Sequence, residues 1–219
     1  AGQLRSHAVS AIFHAAQADY PCEEKDYHMI TIEKSFPGTV TYPLERLGDP
    51  EKLVFFDIET TGFSAGCSTV YLIGCIRPEG DHLRLIQWFA DTKDAEADVL
   101  TAFFDFLNDF DTLVHFNGDM FDIPFVIKRA KALKLSPTFD RVESVDIFRR
   151  VKSFKKLLSL PDMKQKTIEH FLKISREDLY TGGELIEVYL NYLNTRNEEE
   201  KRLLLLHNED DLKGMPALL

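Results

Sequence analysis

Leu53 to Phe56 are four apolar residues in succession, a run that suits a strand covered on both faces. Asp57 and Glu59 then break into the run. Side chains alternate along a strand, so both acids project from one face at its carboxyl end, with Ile58 opposite. Thr69 to Ile76 and His82 to Phe89 read as two further strands, joined by a turn at Pro78-Glu79-Gly80-Asp81. From Asp94 to Phe110 the period changes. Val99, Phe103, Phe106, Leu107 and Phe110 fall at helical spacing, which predicts a helix packed on the sheet rather than a base-stacking surface. Thr112 to Phe116 is a short strand, Asn117-Gly118-Asp119 is turn chemistry, and Phe121-Asp122-Ile123-Pro124 opens a helix to about Leu133. Val142 to Phe148 reads as a strand. Arg149 to Leu158, Gln165 to Lys173, Gly183 to Tyr192 and Glu198 to Lys213 read as helices. The order implies a mixed α/β sheet of about five strands, three antiparallel and two added in parallel through helices, flanked by helices. Such crossovers place functional groups at the carboxyl ends of parallel strands. Residues 1–50 are punctuated by Pro21, Pro37-Gly38, Pro43 and Pro50, with a β-like run at Met29 to Ile32. They are expected to form an extension, packed on the domain of residues 51–219 or lying as an arm.

Composition narrows the class. The chain has 219 residues, 44% of them hydrophobic, enough for one core. No run of 18 apolar residues exists, so no membrane span is expected. Ala8 to Ala18 is small and apolar but contains His14, and reads as a helix at the start of a trimmed chain rather than as a signal sequence. Cys22, Cys67 and Cys75 form no C-x-x-C pair, which points to reduced thiols, a cytoplasmic protein and no zinc site. The net charge of −10 argues against nucleic acid, but its distribution argues otherwise. Residues 128–166 hold 12 Lys/Arg against 4 Asp/Glu, a balance of +8. The remainder holds 14 against 32, a balance of −18. This reads equally as a basic flank beside an acidic centre, or as the solvated face of a helix carrying Lys128, Lys131 and Lys134.

The acids carry the chemistry. Two adjacent buried carboxylates repel, and burial raises the cost. Relief comes from protonation, a basic partner or a hard cation. No Lys or Arg follows until Arg77, so a metal is the leading reading; the bland one leaves Asp57 and Glu59 in solvent at a strand end. Asp122 follows the fourth strand and comes near Asp57 if the first and fourth strands are parallel neighbours. By itself it is a good helix N-cap. Asp119 nearby reads as turn. In His207-Asn208-Glu209-Asp210-Asp211, His207 and Asp211 share one helical face, with Glu209 and Asp210 pointing elsewhere. Leu203, Leu204 and Leu206 hold the helix to the sheet. Asp57, Glu59, Asp122 and Asp211 in one cleft bring four negative charges, which two divalent cations balance. All-oxygen ligation favours Mg²⁺ or Mn²⁺. Two such ions roughly 3.5–4 Å apart activate water and stabilise the leaving oxygen in phosphodiester hydrolysis. His207 is placed to take the proton from that water.

Asp57-Ile-Glu59-Thr-Thr-Gly62, Asn117-Gly-Asp-Met-Phe-Asp122-Ile-Pro and His207-Asn-Glu-Asp-Asp211 resemble the three motifs of the DEDD superfamily of 3′–5′ exonucleases, which share a ribonuclease-H-like fold. The middle motif is similar to that of family-B polymerase proofreading domains. Asp146-Ile-Phe, Arg176-Glu-Asp-Leu-Tyr180 and the Asn in the last motif resemble the bacterial YprB-type ribonuclease-H-like domain. The resemblance covers about residues 50–219. It implies metal-dependent 3′–5′ hydrolysis of nucleic acid at single-stranded 3′ ends. Asp57, Glu59, Asp122 and Asp211 would be ligands of two ions and His207 the general base. Thr60, Thr61, Gly62 and Phe63 would line the terminal nucleotide, and Asn117 and Phe121 would border the strand. One departure stands out. His-type members carry the His five positions before the last Asp and Tyr-type members a Tyr four before; here a His stands at the Tyr-type spacing. Two other readings use the same fold: a nucleic-acid-binding or scaffold module with little catalysis, and a structure-specific endonuclease.

Overall fold

The computed structural model describes residues 29–137 and 139–219. Expectations for Ala8 to Ala18 and Cys22 lie outside the described residues. Among the described residues one sheet has six strands: β1 (Met29–Pro37), β2 (Leu53–Thr60), β3 (Val70–Glu79), β4 (His82–Ala90), β5 (Thr112–His115) and β6 (Glu143–Asp146). Their order across the sheet is β1-β4-β3-β2-β5-β6. The β2–β3–β4 meander is antiparallel, whereas β5 joins β2 and β6 joins β5 in parallel. This is the expected mixed sheet. The further strand, β1, comes from the leading segment and pairs antiparallel with β4 over its whole length.

Alternation along β2 sorts its residues as the sequence implies. Val54, Phe56 and Ile58 join the core beneath α1 (Glu96–Leu107) and α2 (Asp122–Ala132). Leu53 and Phe55 join the opposite core, which includes Leu212, Met215 and Ile168. Asp57 and Glu59 continue this second face. In α1 the stripe of Val99, Leu100, Phe103, Phe104 and Leu107 is buried, and the Phe103 ring stacks on Phe56 at 4.9 Å. The aromatic residues of α1 therefore face the core, as the period predicted. On α2, Arg129 reaches Glu96 at 2.6 Å and Lys131 is exposed, while Lys134, also exposed, lies beyond the end of the helix.

Three local expectations need correction. The strand expected over 142–148 spans Glu143–Asp146, because the Asp146 side chain accepts a hydrogen bond from the Arg149 N–H and starts α3 (Ile147–Val151). The helix expected over 149–158 is only α3 and one 3₁₀ turn, Lys152–Phe154. Lys152, Phe154, Lys155 and Lys156 are all exposed, so the segment has no apolar stripe to hold a longer helix, and Ser159 takes φ 53°. Asp122 is not the N-cap. Phe121 occupies that position, and Asp122 is the first helical residue.

Three helices complete the fold: α4 (Gln165–Phe171), α5 (Gly182–Thr195) and α6 (Glu198–Gly214). Thr181 and Glu184 form a capping box at the start of α5, and the Tyr189 ring stacks on Tyr71 at 4.1 Å. The packing of α6 depends on Gly74. A Cβ there would lie 1.9 Å from Asn208 Oδ1 and 2.6 Å from Leu212 Cδ1. With no side chain at Gly74, α6 lies directly on β3, beside the strand that carries Asp57 and Glu59.

Candidate active site

The ladder between β2 and β5 ends at Phe55 and Val114, so β2 runs past its parallel neighbour. Asp57 and Glu59 stand on this overhang. Asp122, at the first turn of α2, turns back toward it and accepts a hydrogen bond from the backbone of Ile58, the residue between the two acids. From the other side, Asn208 on α6 donates to Asp57 Oδ2 at 2.8 Å, while Gln87 Nε2 donates to Asn208 Oδ1 at 2.9 Å and fixes the amide. Burial, followed by Asp211, Asp122 and Glu59, pushes the Asp57 carboxyl well above the usual carboxylate range. Burial raises Glu59 to about 7 against the opposing pull of His207. It raises Asp122 to about 7 against two backbone hydrogen bonds. These shifts have the physical cause expected of acids crowded in a dry cleft.

His207 and Asp211 share a face of α6, as their spacing requires. His207 Nε2 lies 3.4 Å from Asp211 Oδ2 and 3.7 Å from Glu59 Oε1. Its other nitrogen, Nδ1, is 2.7 Å from Asp178 Oδ2. Burial works to lower the His207 pKa, but Glu59, Asp178 and Asp211 outweigh it and the net shift is upward. Glu209 and Asp210 point away. Glu209 pairs with Lys34 at 2.6 Å, and Asp210 accepts the backbone N–H groups of Glu177 and Asp178.

The absence of a basic partner in the local sequence does not carry over to three dimensions. Arg176 Nη1 sits 2.6 Å from Asp211 Oδ1 and 2.7 Å from the fully buried Glu169 Oε2. Lys166 Nζ lies 2.6 Å from Asp178 Oδ2. These contacts hold Asp178 below the usual carboxylate range: burial opposes, but His207 and Lys166 prevail. Arg176, Asp178, Lys166 and Asn208 are the site neighbours that residue patterns did not single out. Arg176 to Tyr180 served only as a mark of resemblance.

Arg176 and Lys166 do not neutralise the cleft, because Glu169 and Asp178 share them. Asp57, Glu59 and Asp122 have no Lys or Arg partner among the described residues, and His207 Nε2 is the cation-forming group that faces Glu59 and Asp211 Oδ2. Ligand atoms of Glu59, His207 and Asp211 lie within 4.8 Å of one another. Oxygen-rich, buried and negative, this donor set fits a divalent cation. Asp119 lies apart from it, paired with Arg149 at 2.7 Å and bonded to Ser144 at 2.5 Å.

Of the residues expected near the strand, Thr60 is buried, and its Oγ1 donates to Gly62 O at 2.9 Å. Thr61 bonds Thr69 across the loop. Phe63 is 80% exposed, with its ring 6.4 Å from that of Phe121. Asn117 takes φ 63° and donates its N–H to Asp146 Oδ1 at 2.9 Å. Asn117 and Phe121 line a cavity together with Asp57 and Asp122.

A sheet of this topology with acids at the overhang of β2 defines a ribonuclease-H-like domain, and the chain belongs to the RNase H superfamily, whose family model matches residues 54–219. Over 144 residues it is 35% identical to a DNA polymerase of Thermococcus aggregans, a match spanning 60% of this chain and 7% of that protein. Among solved structures it resembles the family B DNA polymerase of the archaeon Pyrobaculum calidifontis, with a TM-score of 0.62, 18% identity, and coverage of 76% of this chain and 24% of that one. It also resembles E. coli exonuclease I in complex with a dT13 oligonucleotide, with a TM-score of 0.51, 11% identity, and coverage of 76% and 39%. At these identities the structural likeness concerns the fold alone. The chain spans well under half the length of each of these proteins.

Proposed function

We propose that the protein is a metal-dependent 3′–5′ exonuclease that hydrolyses phosphodiester bonds at single-stranded ends, of the DEDD superfamily and the YprB type. The carrying observation is the convergence of Asp57, Glu59, Asp122 and Asp211 from three separate elements on one buried cleft beside His207. The exonuclease I likeness adds a nuclease of this fold crystallised with an oligonucleotide.

In this reading the four acids hold two divalent ions, Mg²⁺ or Mn²⁺, which supply water activation and charge stabilisation at the phosphate. His207 is the general base. Its Nε2 faces Glu59 and Asp211, on the side where water must be deprotonated. Asp178 fixes the ring from behind through Nδ1 and stabilises the imidazolium that forms. Thr60 to Phe63 seat the terminal nucleotide, and Asn117 and Phe121 border the strand. The reacting domain is residues 51–219, with residues 29–50 packed on it through β1.

The test is incubation of the purified chain with labelled single-stranded DNA and RNA oligomers and Mn²⁺ or Mg²⁺. Mononucleotides released from the 3′ end, and lost in Asp57→Ala, are expected. Defined internal cuts would argue for an endonuclease. One contact favours a binding module with little turnover: Arg176 occupies an oxygen of Asp211 that a ligand role would use. Retention of oligomers in a gel shift with no product under any metal would establish that reading and end the catalytic one.

A further inference from the structure

Strands β5 and β6 end side by side, with His115 opposite Asp146 in their parallel register. Both side chains are almost wholly buried, at 1% and 5% exposure. The loop after β5 carries Asp122 back to the overhang of β2, and each of these two side chains holds one of its amides. Asn117 N–H donates to Asp146 Oδ1 at 2.9 Å, and Gly118 N–H donates to His115 Nδ1 at 3.0 Å. Gly118 O in turn accepts the N–H of Ile123 at 3.0 Å, one residue beyond Asp122 in the first turn of α2. The local backbone is shaped around these contacts. Asn117 takes φ 63°, which an L side chain seldom adopts unless its surroundings enforce it. A Cβ on Gly118 would lie 2.7 Å from His115 Cγ and Nδ1, so a side chain there would push the amide off the ring. A backbone N–H can only donate, which makes Nδ1 the bare, accepting nitrogen and leaves the proton on Nε2. Burial lowers the pKa of this imidazole from 6.5, with Arg149 on the same side and Asp146 and Asp119 opposing, so the ring is neutral at neutral pH. Nε2 lies 2.8 Å from Ser144 Oγ, Ser144 Oγ donates to Asp119 Oδ1 at 2.5 Å, and Arg149 Nη1 meets Asp119 Oδ2 at 2.7 Å. Ligand atoms of His115, Asp119 and Asp146 lie within 4.8 Å of one another, close enough to share a cation. A cation on Nε2 would move the ring proton to Nδ1, against the Gly118 amide, and Arg149 already answers Asp119. The hydrogen bonds therefore favour a tether over a second metal site.

We propose that His115 is a positioning residue for the hydrolysis: its neutral Nε2–H imidazole holds the Gly118 amide and so sets where Asp122 stands against Asp57 and Glu59. It acts through the loop and not on the reacting atoms. This role rests on the reading of Asp122 as a cation ligand and deepens it, by naming what places that ligand.

Two substitutions separate a tether from a space-filling ring. Asn offers an amide oxygen where Nδ1 stands, whereas Gln places its amide at the depth of Nε2 and fills more of the ring's volume. Packing alone ranks His115→Gln above His115→Asn, and the tether ranks them the other way. Mn²⁺ binding to the full chain is measured by isothermal titration calorimetry. His115→Gln should weaken it about tenfold, the lower end of the range for outer partners of a metal ligand, and His115→Asn should stay close to the parent. Hydrogen exchange at the Gly118 amide, followed by NMR, should quicken in His115→Gln and not in His115→Asn. Equal Mn²⁺ affinity in the two variants, or the larger loss in His115→Asn, would overturn the proposal. Should either variant fail to fold, the ring tautomer of the unaltered chain decides, read from long-range nitrogen–proton correlation spectra. A proton on Nε2 is expected, and a proton on Nδ1 would overturn the tether. Asp122→Ala is the control for the underlying reading. If it binds Mn²⁺ as the parent does, or the parent binds none, the assignment of Asp122 as a ligand is what fails, and the tether is still judged by the tautomer and the Gly118 amide.

Discussion

Asp57 is partly buried among three other acids, and only the Asn208 amide works in its favour. Folding therefore holds it in a place that opposes its charge. Asp57→Asn should leave the metal-free protein as stable or more stable, because like-charge repulsion disappears and the Asn208 contact can be kept. Thermal melting with and without chelator checks this, and a drop of several degrees would mean that the carboxylate supports the fold. Arg176 is the opposite case. It is shared by Glu169, Asp211 and Asp178 and nearly buried, so Arg176→Gln strands carboxylates without a partner. Breaking a buried pair from one side costs roughly 3–5 kcal/mol. Denaturant unfolding should show a loss of that order, partly restored by Mn²⁺, whereas an unchanged midpoint would mean that the guanidinium contributes little. The two residues also differ in how they could be read. Asp57 and Glu59 announce themselves because a charge in an apolar strand conflicts with its surroundings. Arg176, Asp178 and Lys166 lie in a polar stretch where charge is ordinary, and only the approach of α4 and the loop after it to α6 gives them meaning.

At the level of elements, the site depends on how closely α6 lies on the sheet. Leu203, Leu204 and Leu206 marked the apolar side of α6 in the sequence, although only Leu204 of the three is buried, with Leu212 a further buried contact; alternation placed the acids on one face of β2. Neither specified the distance between them. Gly74 does so. It pairs with Asp57 across the β2–β3 ladder, and its missing side chain admits Asn208 and Leu212. Gly74→Ala should push α6 outward, with an overpacking cost of about 1–3 kcal/mol and a fall in nuclease rate larger than the fall in stability suggests. A melting curve beside a cleavage time course separates the two, and equal activity in a folded Gly74→Ala protein would show that α6 has slack. The elements the sequence misplaced share a cause. The segment after β6 is basic, and its long side chains suited a helix on paper, yet without an apolar stripe it breaks after five residues. The run at Met29–Ile32 had strand character, but only pairing with β4 makes it part of the sheet.

For the whole molecule, the crowded acids link folding, protons and metal. Glu59 and Asp122 titrate near 7 in the folded chain against ordinary values of 4.5 and 3.8. Between those limits the native state keeps protons that the unfolded chain has released. Stability then falls as pH rises through this window. His207 acts in the same direction, since its shift is also upward. Asp178 acts in the opposite direction, but its depressed value confines that effect to pH below about 3.8. Burial lowers the His115 pKa from 6.5, so this residue opposes the trend within the window, but it stands alone against the raised acids of the cleft, which set the sign from 4.5 to 7. Divalent ions require deprotonated carboxylates, so their stabilisation must grow as protons leave. Metal-free protein should melt at a lower temperature at about pH 8 than at about pH 5, and millimolar Mn²⁺ should raise the melting point far more at the higher pH. In Asp57→Asn the metal-free pH dependence should shrink, because one carboxyl whose pKa the cleft raises no longer titrates. Calorimetric scans across the window would decide it. A flat profile, or an equal Mn²⁺ gain at both ends, would mean that these carboxylates do not form a cation site, and the polynucleotide chemistry proposed for them would lose its footing.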